Sequence, residues 1–219
     1  MKVCTDACLF GAWLSTHVTI SSMQSILDIG TGTGLLSLMV AQQSSAMIDA
    51  VEIDEAAAQQ AKMNFEASPW KEKLNLVLSD IRKVVFTKKY DLVIANPPFF
   101  ANDLKSENNK RNLALHSSAL SLEDLLLVTV HVLSEDGKFA VILPIHRAED
   151  FESKAARHEL YIEEKVWVKQ TVKHPWFRVL LLFSRHPSIS IGKEIAIKDE
   201  SNNYTEAFVV LLKDYYLFL

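Results

Sequence analysis

A glycine-rich turn between a strand-like segment and a helix-like segment limits the fold more than any other feature of this chain. Ser25–Ile29 is a short apolar run typical of a buried strand, and Gly30, Gly32 and Gly34 follow it. Residues 35–40 then carry apolar side chains at helical intervals. Glycines at such a turn permit positive φ and let a ligand approach the backbone closely. The pattern predicts a strand–turn–helix unit with a ligand site at the turn; an ordinary glycine turn is the alternative.

The alternation of strand-like and helix-like runs continues beyond this unit. Further strands are predicted at 46–53, 74–78, 90–95 and 138–143, and helices at 55–65, 120–133 and 148–157. The last two strand-like runs, 161–169 and 177–184, are joined too closely for a crossover helix and should be antiparallel. We therefore expect an α/β fold: a doubly wound, Rossmann-like, mostly parallel seven-stranded sheet with an antiparallel C-terminal hairpin. No repeat or flexible linker interrupts residues 1–219, which predicts a single domain.

Composition excludes several classes of protein. Apolar residues make up 49% of the chain, enough for a real core, but no uninterrupted apolar run approaches the roughly 18 residues of a membrane span. The net charge of −4 disfavours nonspecific coating of nucleic acid, although a local basic patch stays compatible with it. Cys4 and Cys8 have neither the spacing nor the partners of a redox or metal site. We expect a cytoplasmic protein without a metal.

Acidic residues near the strand ends suggest which ligand the glycine turn accepts. The turn, preceded by Asp28, is not the dinucleotide fingerprint, because Leu35 stands where the third glycine would be; a nucleoside without pyrophosphate suits it better. Glu52 ends the second strand, where an acid can accept hydrogen bonds from ribose hydroxyls. Asp54 is the alternative, but helix capping already explains it. Asp80 follows the third strand and would accept from the amino group of an adenine, unless it is an ordinary loop acid.

The sequence Asn96-Pro97-Pro98-Phe99-Phe100 directly follows the fourth strand and carries the strongest chemical signal. An exocyclic amine is a poor nucleophile because its lone pair is delocalised into the ring. The Asn96 side-chain oxygen and the Pro97 carbonyl can each accept one of its N–H bonds, which directs the lone pair toward a methyl donor. Pro98 stiffens the turn and Phe99 offers a stacking face. The alternative is a proline-terminated strand with an aromatic plug.

These motifs resemble those of class I amino-methyltransferases, and the chain ends resemble one family more closely. Lys2-Val3-Cys4-Thr5-Asp6 with Leu9, Gly11, Ala12 and Trp13 resembles the opening of the bacterial tRNA1(Val) adenine-37 N6-methyltransferases. Residues 68–70, 203–208 and 216–219 resemble further signatures of that family, so the resemblance covers essentially the whole chain. The family usually carries a short aromatic and basic segment before this opening, so substrate affinity or closure over the cofactor is expected to differ here.

The resemblance implies S-adenosylmethionine as the cofactor, tRNA as the substrate and direct methyl transfer to adenine N6. Its residues carry over as follows: Thr5 and Asp6, with Lys2 in a weaker position, near the methionine end of the cofactor; Gly30, Gly32 and Gly34, with Asp28, in the cofactor loop; Glu52 at the ribose; Asp80 at the adenine; and Asn96, Pro97, Pro98 and Phe99 at the target base. No membrane association and no stable protein partner are expected, and the chain should be a monomer.

Basic residues near the motif and the predicted hairpin are candidates for RNA contact, with a solvated basic face as the alternative. They are Lys105, Lys110, Arg111, Lys169, Lys173, His174 and Arg178, interleaved with Trp176 and Phe177. For His116 a structural role is the preferred interpretation. Three other functions stay open at this point: methylation of ribosomal guanine N2 or of a protein glutamine amide, and a noncatalytic RNA-binding scaffold. Leu35 and the Asn-Pro-Pro motif disfavour a dehydrogenase.

Overall fold

The structure, a computed structural model, describes residues 4–17, 20–97 and 120–218. Six α-helices lie in these ranges: α1 Thr5–His17, α2 Leu35–Gln43, α3 Glu55–Ala67, α4 Leu122–Val132, α5 Ile145–Arg157 and α6 Glu206–Leu212. Eight strands accompany them: β1 Ser25–Ile29, β2 Met47–Glu52, β3 Leu74–Leu78, β4 Tyr90–Ala95, β5 Leu133–Pro144, β6 Tyr161–Thr171, β7 Trp176–Ser184 and β8 Ile191–Lys198. No helix of these ranges is both long and apolar enough to cross a bilayer.

The strands form one sheet in the order β3-β2-β1-β4-β5-β7-β6-β8. Strands β1 to β5 pair in parallel, whereas β7 runs antiparallel to both β5 and β6. The predicted doubly wound sheet and its antiparallel hairpin are confirmed. The predicted number of seven strands is wrong, because β8 adds an eighth that pairs in parallel with β6 at the sheet edge. Only Ile195 and Ile197 of β8 are buried, so the strand lacks the apolar run by which the others were predicted.

Apolar side chains cover both faces of the sheet and form two main clusters. One cluster packs α1, α2 and α6 against side chains such as Ile94 and Leu180. The other packs α4 and α5 against the opposite face, where Phe139, Phe151 and Phe183 contact one another. Each face of a parallel sheet must be buried in this way, since its strands are apolar on both sides.

Helix α1 was not predicted, and its burial explains why. Its residues 7–14 are buried on every side, so the helix lacks the polar face that produces a 3.6-residue pattern. The indole N–H of Trp13 donates to Glu164 of β6 at 3.3 Å, and Lys193 of β8 also contacts that carboxylate at 3.1 Å. Thus α1 is fixed to the outer strands of the sheet as well as to α2.

Candidate active site

The site lies where the chain reverses its direction of strand addition. After β3 at one side of the sheet, the chain returns to place β4 on the free side of β1. Ile29 of β1 is in register with Val51 of β2 and with Ala95 of β4. The carboxyl ends of these three parallel strands therefore meet at one edge. This is the switch point at which open α/β sheets bind ligands.

The glycine turn has the conformation that its sequence predicts. Gly30, Gly32 and Gly34 all have positive φ, at 72°, 59° and 85°. A Cβ on Gly34 would lie 2.4 Å from the Phe65 ring, so only glycine lets the turn pack on α3. A Cβ on Gly30 would meet nothing within 4 Å. The turn is thus packed on one side and open at Gly30, as a ligand that approaches the backbone requires.

Asp28 lies beneath the turn and is completely buried. Its Oδ2 accepts hydrogen bonds from the hydroxyls of Thr31 and Ser37, both at 2.6 Å, while its Oδ1 has no hydrogen-bond partner among the described residues. Burial raises the pKa of Asp28 to about 6, although the two donated hydrogen bonds oppose the shift. Because Asp28 is completely buried, it would affect a bound ligand indirectly, by fixing the position of the glycine turn.

Glu52 joins β2 to the glycine turn. Its Oε2 accepts the Gly32 N–H at 2.8 Å, and its Oε1 accepts those of Ile53 and Asp54 at 2.9 and 2.8 Å. A carboxylate has about four lone-pair sites, so Oε2 keeps capacity for a further donor. Asp54 instead accepts the Ala57 N–H and caps α3, as predicted. The geometry therefore favours Glu52 over Asp54 as the acceptor for a ribose.

Asp80 is engaged by a neighbouring cation. Both of its carboxylate oxygens face the Arg82 guanidinium, with contacts of 2.7 to 3.1 Å, and it also caps the short 3-10 helix Ile81–Lys83. Hydrogen bonds from Arg82 lower the pKa of Asp80. The Ser79 N–H donates to the Glu52 carbonyl at 2.9 Å, which keeps this loop beside the β2 end. Asp80 is near the predicted site, but a bound adenine would share its carboxylate with Arg82.

Asn96 follows β4 at the same edge and is half-buried, and Pro97 is buried. No hydrogen bond joins the Asn96 side chain to another residue within the described ranges, whereas residues 92–95 before it are buried. With respect to these ranges its amide keeps hydrogen-bonding capacity, next to the point where Ala95 is in register with Ile29 before the glycine turn. The predicted base-binding residues Pro98 and Phe99 lie outside the described residues. A groove of about 410 Å³ between α3 and β3 includes none of the predicted site residues.

Comparison with known proteins decides the family. Residues 11–148 match the methyltransferase small domain. The tRNA1(Val) (adenine(37)-N6)-methyltransferase of Pectobacterium carotovorum subsp. carotovorum (strain PC1) is 42% identical over 223 aligned residues, which cover 100% of this chain and 88% of that protein. The chain belongs to this methyltransferase family. Its recognition from the two chain ends and the Asn-Pro-Pro motif is confirmed.

Two solved methyltransferase structures have a similar fold, although their sequence identity to this chain is low. A predicted O-methyltransferase from Agrobacterium tumefaciens aligns with a TM-score of 0.72 at 15% identity, covering 94% of this chain and 95% of that one. The glycopeptide N-methyltransferase MtfA, solved with S-adenosylmethionine, aligns with a TM-score of 0.61 at 12% identity, covering 81% and 87%. These likenesses confirm the Rossmann-like fold.

The structure brings together the two family signatures at the chain ends. Tyr216 packs against the buried cluster that includes Cys8 and Leu9 of α1, and burial raises the pKa of Tyr216 to about 12. Tyr216 also packs edge-on against Phe208 of α6. The C-terminal segment of the chain thus packs against the start of α1.

Asp6 and Thr5 lie at the start of α1, and Asp6 connects this helix to the edge that carries the site. The Arg178 Nε of β7 donates to Asp6 Oδ2 at 2.9 Å, and both side chains are largely buried. Arg178 is in register with Pro144, the last residue of β5, at the carboxyl edge. Sequence reasoning assigned Asp6 to the cofactor and Arg178 to RNA, but it did not predict that the two residues pair.

The candidates for RNA contact divide into two groups. Three of them, Lys105, Lys110 and Arg111, lie outside the described residues, as do Lys2, predicted at the cofactor, and His116, predicted to be structural. Lys169, Lys173, His174, Trp176, Phe177 and Arg178 lie on or beside the turn between β6 and β7, at the same edge as Asn96.

Ile53 is a candidate for the site that sequence reasoning did not single out. It directly follows Glu52 and is 57% exposed, an unusual environment for a large apolar side chain at the end of a buried strand. Its N–H donates to Glu52, so its backbone is fixed beside the acid.

Proposed function

We propose that the chain transfers a methyl group from S-adenosylmethionine to the N6 amine of an adenine in tRNA, adenine-37 of tRNA1(Val), in the cytoplasm. The observation that carries the proposal is the shared edge of β2, β1 and β4. There an acid, an open glycine turn and an Asn-Pro corner lie on adjacent strands. The name of the 42% identical relative supports the same substrate.

The residues present fit the cofactor. S-adenosylmethionine, when bound, supplies an electrophilic methyl group on a sulfonium. Gly30 leaves the space that a nucleoside beside the turn needs, and Glu52 keeps acceptor capacity for ribose hydroxyls. Ile53 offers an exposed apolar surface for the adenine beside Asp80. Thr5 and Asp6, the latter held by Arg178, would face the methionine end.

Asn96 and Pro97 would orient the target amine. The Asn96 side-chain oxygen and the Pro97 carbonyl would each accept one N–H of adenine N6, which leaves the nitrogen lone pair free to attack the methyl carbon. The N–C bond would form as the C–S bond breaks, and its electron pair would go to the departing thioether sulfur. The methylated amine then releases its extra proton to water, so no strong general base is required. Positioning and fixed dipoles supply the rate enhancement. The target base must leave its stack, which costs least in a single-stranded loop.

Nucleoside mass spectrometry tests the proposal. The purified protein, S-adenosylmethionine and a tRNA1(Val) transcript should yield N6-methyladenosine, and an adenine-37→guanine transcript should yield none. Methyl groups on guanine N2 of ribosomal RNA, or on a protein glutamine, would identify the related alternatives instead. RNA binding without any binding of S-adenosylmethionine in titration would favour a noncatalytic scaffold.

A further inference from the structure

The turn between β6 and β7 extends beyond the edge that carries the site. Leu181 of β7 is in register with Val141 of β5, which is in register with Ala95 of β4. Strands lie about 4.8 Å apart, so β7 is roughly 10 Å to the side of β4. Trp176 is five residues closer to the turn than Leu181, which places it about 16 Å beyond the level of Ala95, at about 3.3 Å per residue.

Trp176 is 41% exposed, yet its indole is held on several sides. It packs against Trp167 of β6, with ring centroids 5.7 Å apart and an angle of 32° between the planes. Lys169 Nζ lies 5.5 Å from the Trp176 ring centroid. Glu194 of β8 forms an ion pair with Lys169 at 2.9 Å, and the hydrogen bond from Lys169, with a smaller effect of the Trp176 indole, lowers the pKa of Glu194. An exposed aromatic ring is therefore fixed in place.

β8 leaves the space that this arrangement needs. A Cβ on Gly192 would lie 3.0 Å from Cζ3 of Trp167, so a side chain at this position would displace the ring that supports Trp176. Lys165 Nζ lies 5.2 Å from the Trp167 ring on the same strand face. The outer strands thus present two packed indoles with a lysine beside each.

The charge of the segment favours a polyanionic partner. Residues 169–178 contain Lys169, Lys173 and Arg178 and no acid, although the whole chain has a net charge of −4. The acids that pair with these lysines are exposed: Glu194 at 49% and Glu200 at 67% of the side chain. Exposed ion pairs contribute little, so phosphates can replace these carboxylates at small cost.

We propose that Trp176 stacks on an unpaired base that flanks the target adenine, with Lys169 and Lys173 beside the RNA backbone. This inference rests on the proposed function and specifies how its RNA substrate is held. Asn96 is one residue beyond Ala95, so Trp176 lies roughly 16 Å from the Asn-Pro corner. This distance corresponds to at most about five nucleotides, since stacked nucleotides rise about 3.4 Å each. A fixed indole with exposed surface is the kind of platform on which single-stranded bases stack.

Binding of a fluorescently labelled RNA hairpin with an adenine-containing loop, measured by anisotropy without cofactor, tests the inference. Trp176→Ala should weaken binding about 5- to 150-fold, the range that base stacking on one aromatic ring supplies. Trp176→Phe should bind nearly as well as the wild type, and Trp176→Leu, which keeps an apolar side chain without a π-face, should lose as much as Trp176→Ala. Leu127→Ala is the matched control, because Leu127 is 51% exposed on α4 and apolar.

Kinetics separate this role from support of the fold or the cofactor. At saturating RNA, Trp176→Leu should keep its kcat while KM for RNA rises. RNA affinity within twofold of the wild type for both Trp176→Leu and Trp176→Ala would overturn the inference, as would a loss confined to cofactor affinity. The proposed function fails separately: it is wrong if the wild type binds the RNA tightly and methylates no adenine in any tRNA.

Discussion

At the scale of single residues, Asn96 separates binding from chemistry. Asn96→Ala removes one acceptor for the amine and leaves the glycine turn and Glu52 intact. We expect turnover to fall roughly 10²- to 10³-fold, comparable with the loss of one preorganised hydrogen-bonding group, while cofactor affinity stays within about twofold. Single-turnover methylation and calorimetric titration with S-adenosylmethionine measure the two quantities. Unchanged turnover in Asn96→Ala would exclude its proposed role.

Glu52 and Asp54 form a natural pair for assigning the ribose. Glu52→Gln retains its size but weakens the carboxylate acceptor of the Gly32 N–H, so cofactor affinity should fall about tenfold or more, with a smaller effect on the saturated rate. Asp54→Ala removes the cap of α3, which should cost about 1 kcal/mol of stability and leave cofactor affinity nearly unchanged. Titration and chemical denaturation of both variants measure these effects. If Asp54→Ala lowered cofactor affinity and Glu52→Gln did not, Asp54 would be the acid that binds the ribose.

At the scale of helices and strands, the sequence predicted the elements whose pattern is regular. β1, β3 and β4 have the predicted bounds, and α3 begins after its predicted cap at Asp54. Elements were not predicted where complete burial, shortness or an edge position left no regular pattern of apolar and polar residues. α1 is buried all round, α6 has seven residues, and β8 alternates weakly at an edge. The seven predicted strands therefore became eight.

The same limit applies to the site. Asn96, Glu52 and the glycine turn were predicted because each follows a recognisable strand. Two ion pairs of this region, Asp6–Arg178 and Asp80–Arg82, were not predicted. The first was not predictable from the sequence, because its residues are 172 apart in the chain and Asp6 lies on a helix without an amphipathic pattern. Arg82 is only two residues from Asp80, and sequence reasoning overlooked it.

The link between α1 and β7 yields a prediction at this scale. Arg178→Ala leaves the largely buried Asp6 carboxylate without its guanidinium, which should cost about 1–3 kcal/mol of stability. If Asp6 acts at the cofactor, affinity for S-adenosylmethionine should fall as well, and Asp6→Asn should show the same loss. Lys138→Met is the control: it breaks the ion pair with Glu163 on another part of the sheet and should leave the affinity for S-adenosylmethionine unchanged. Cofactor affinity equal to that of the wild type in both Arg178→Ala and Asp6→Asn would remove Asp6 from the cofactor site.

At the scale of the whole molecule, the buried Asp28 carboxyl beneath the glycine turn makes the stability of the fold depend on pH. Asp28 is fully buried beneath the turn, and burial raises its pKa from 3.8 to about 6. Between these two values the folded protein binds a proton that the unfolded chain has released. Stability therefore falls as pH rises through this window, by up to about 3 kcal/mol, since one pKa unit corresponds to about 1.4 kcal/mol.

Asp28→Asn removes this dependence and supplies the test. Relative to the wild type, the variant should gain stability between pH 4.5 and a little above pH 6 and then stay level to pH 7.5, because only the wild type must ionise a buried carboxyl. Urea denaturation at both values measures the difference, in which the other titrating groups cancel. Asp80→Asn is the control with the opposite sign. The hydrogen bond from Arg82 lowers the pKa of Asp80, so the contribution of Asp80 to folding stability is lost only as pH falls below about 4. The stability difference between Asp80→Asn and the wild type should therefore stay constant from pH 4.5 to pH 7.5. A difference for Asp28→Asn that does not change with pH would mean that Asp28 ionises as freely in the folded protein as in the unfolded chain, and that the turn carries no such cost.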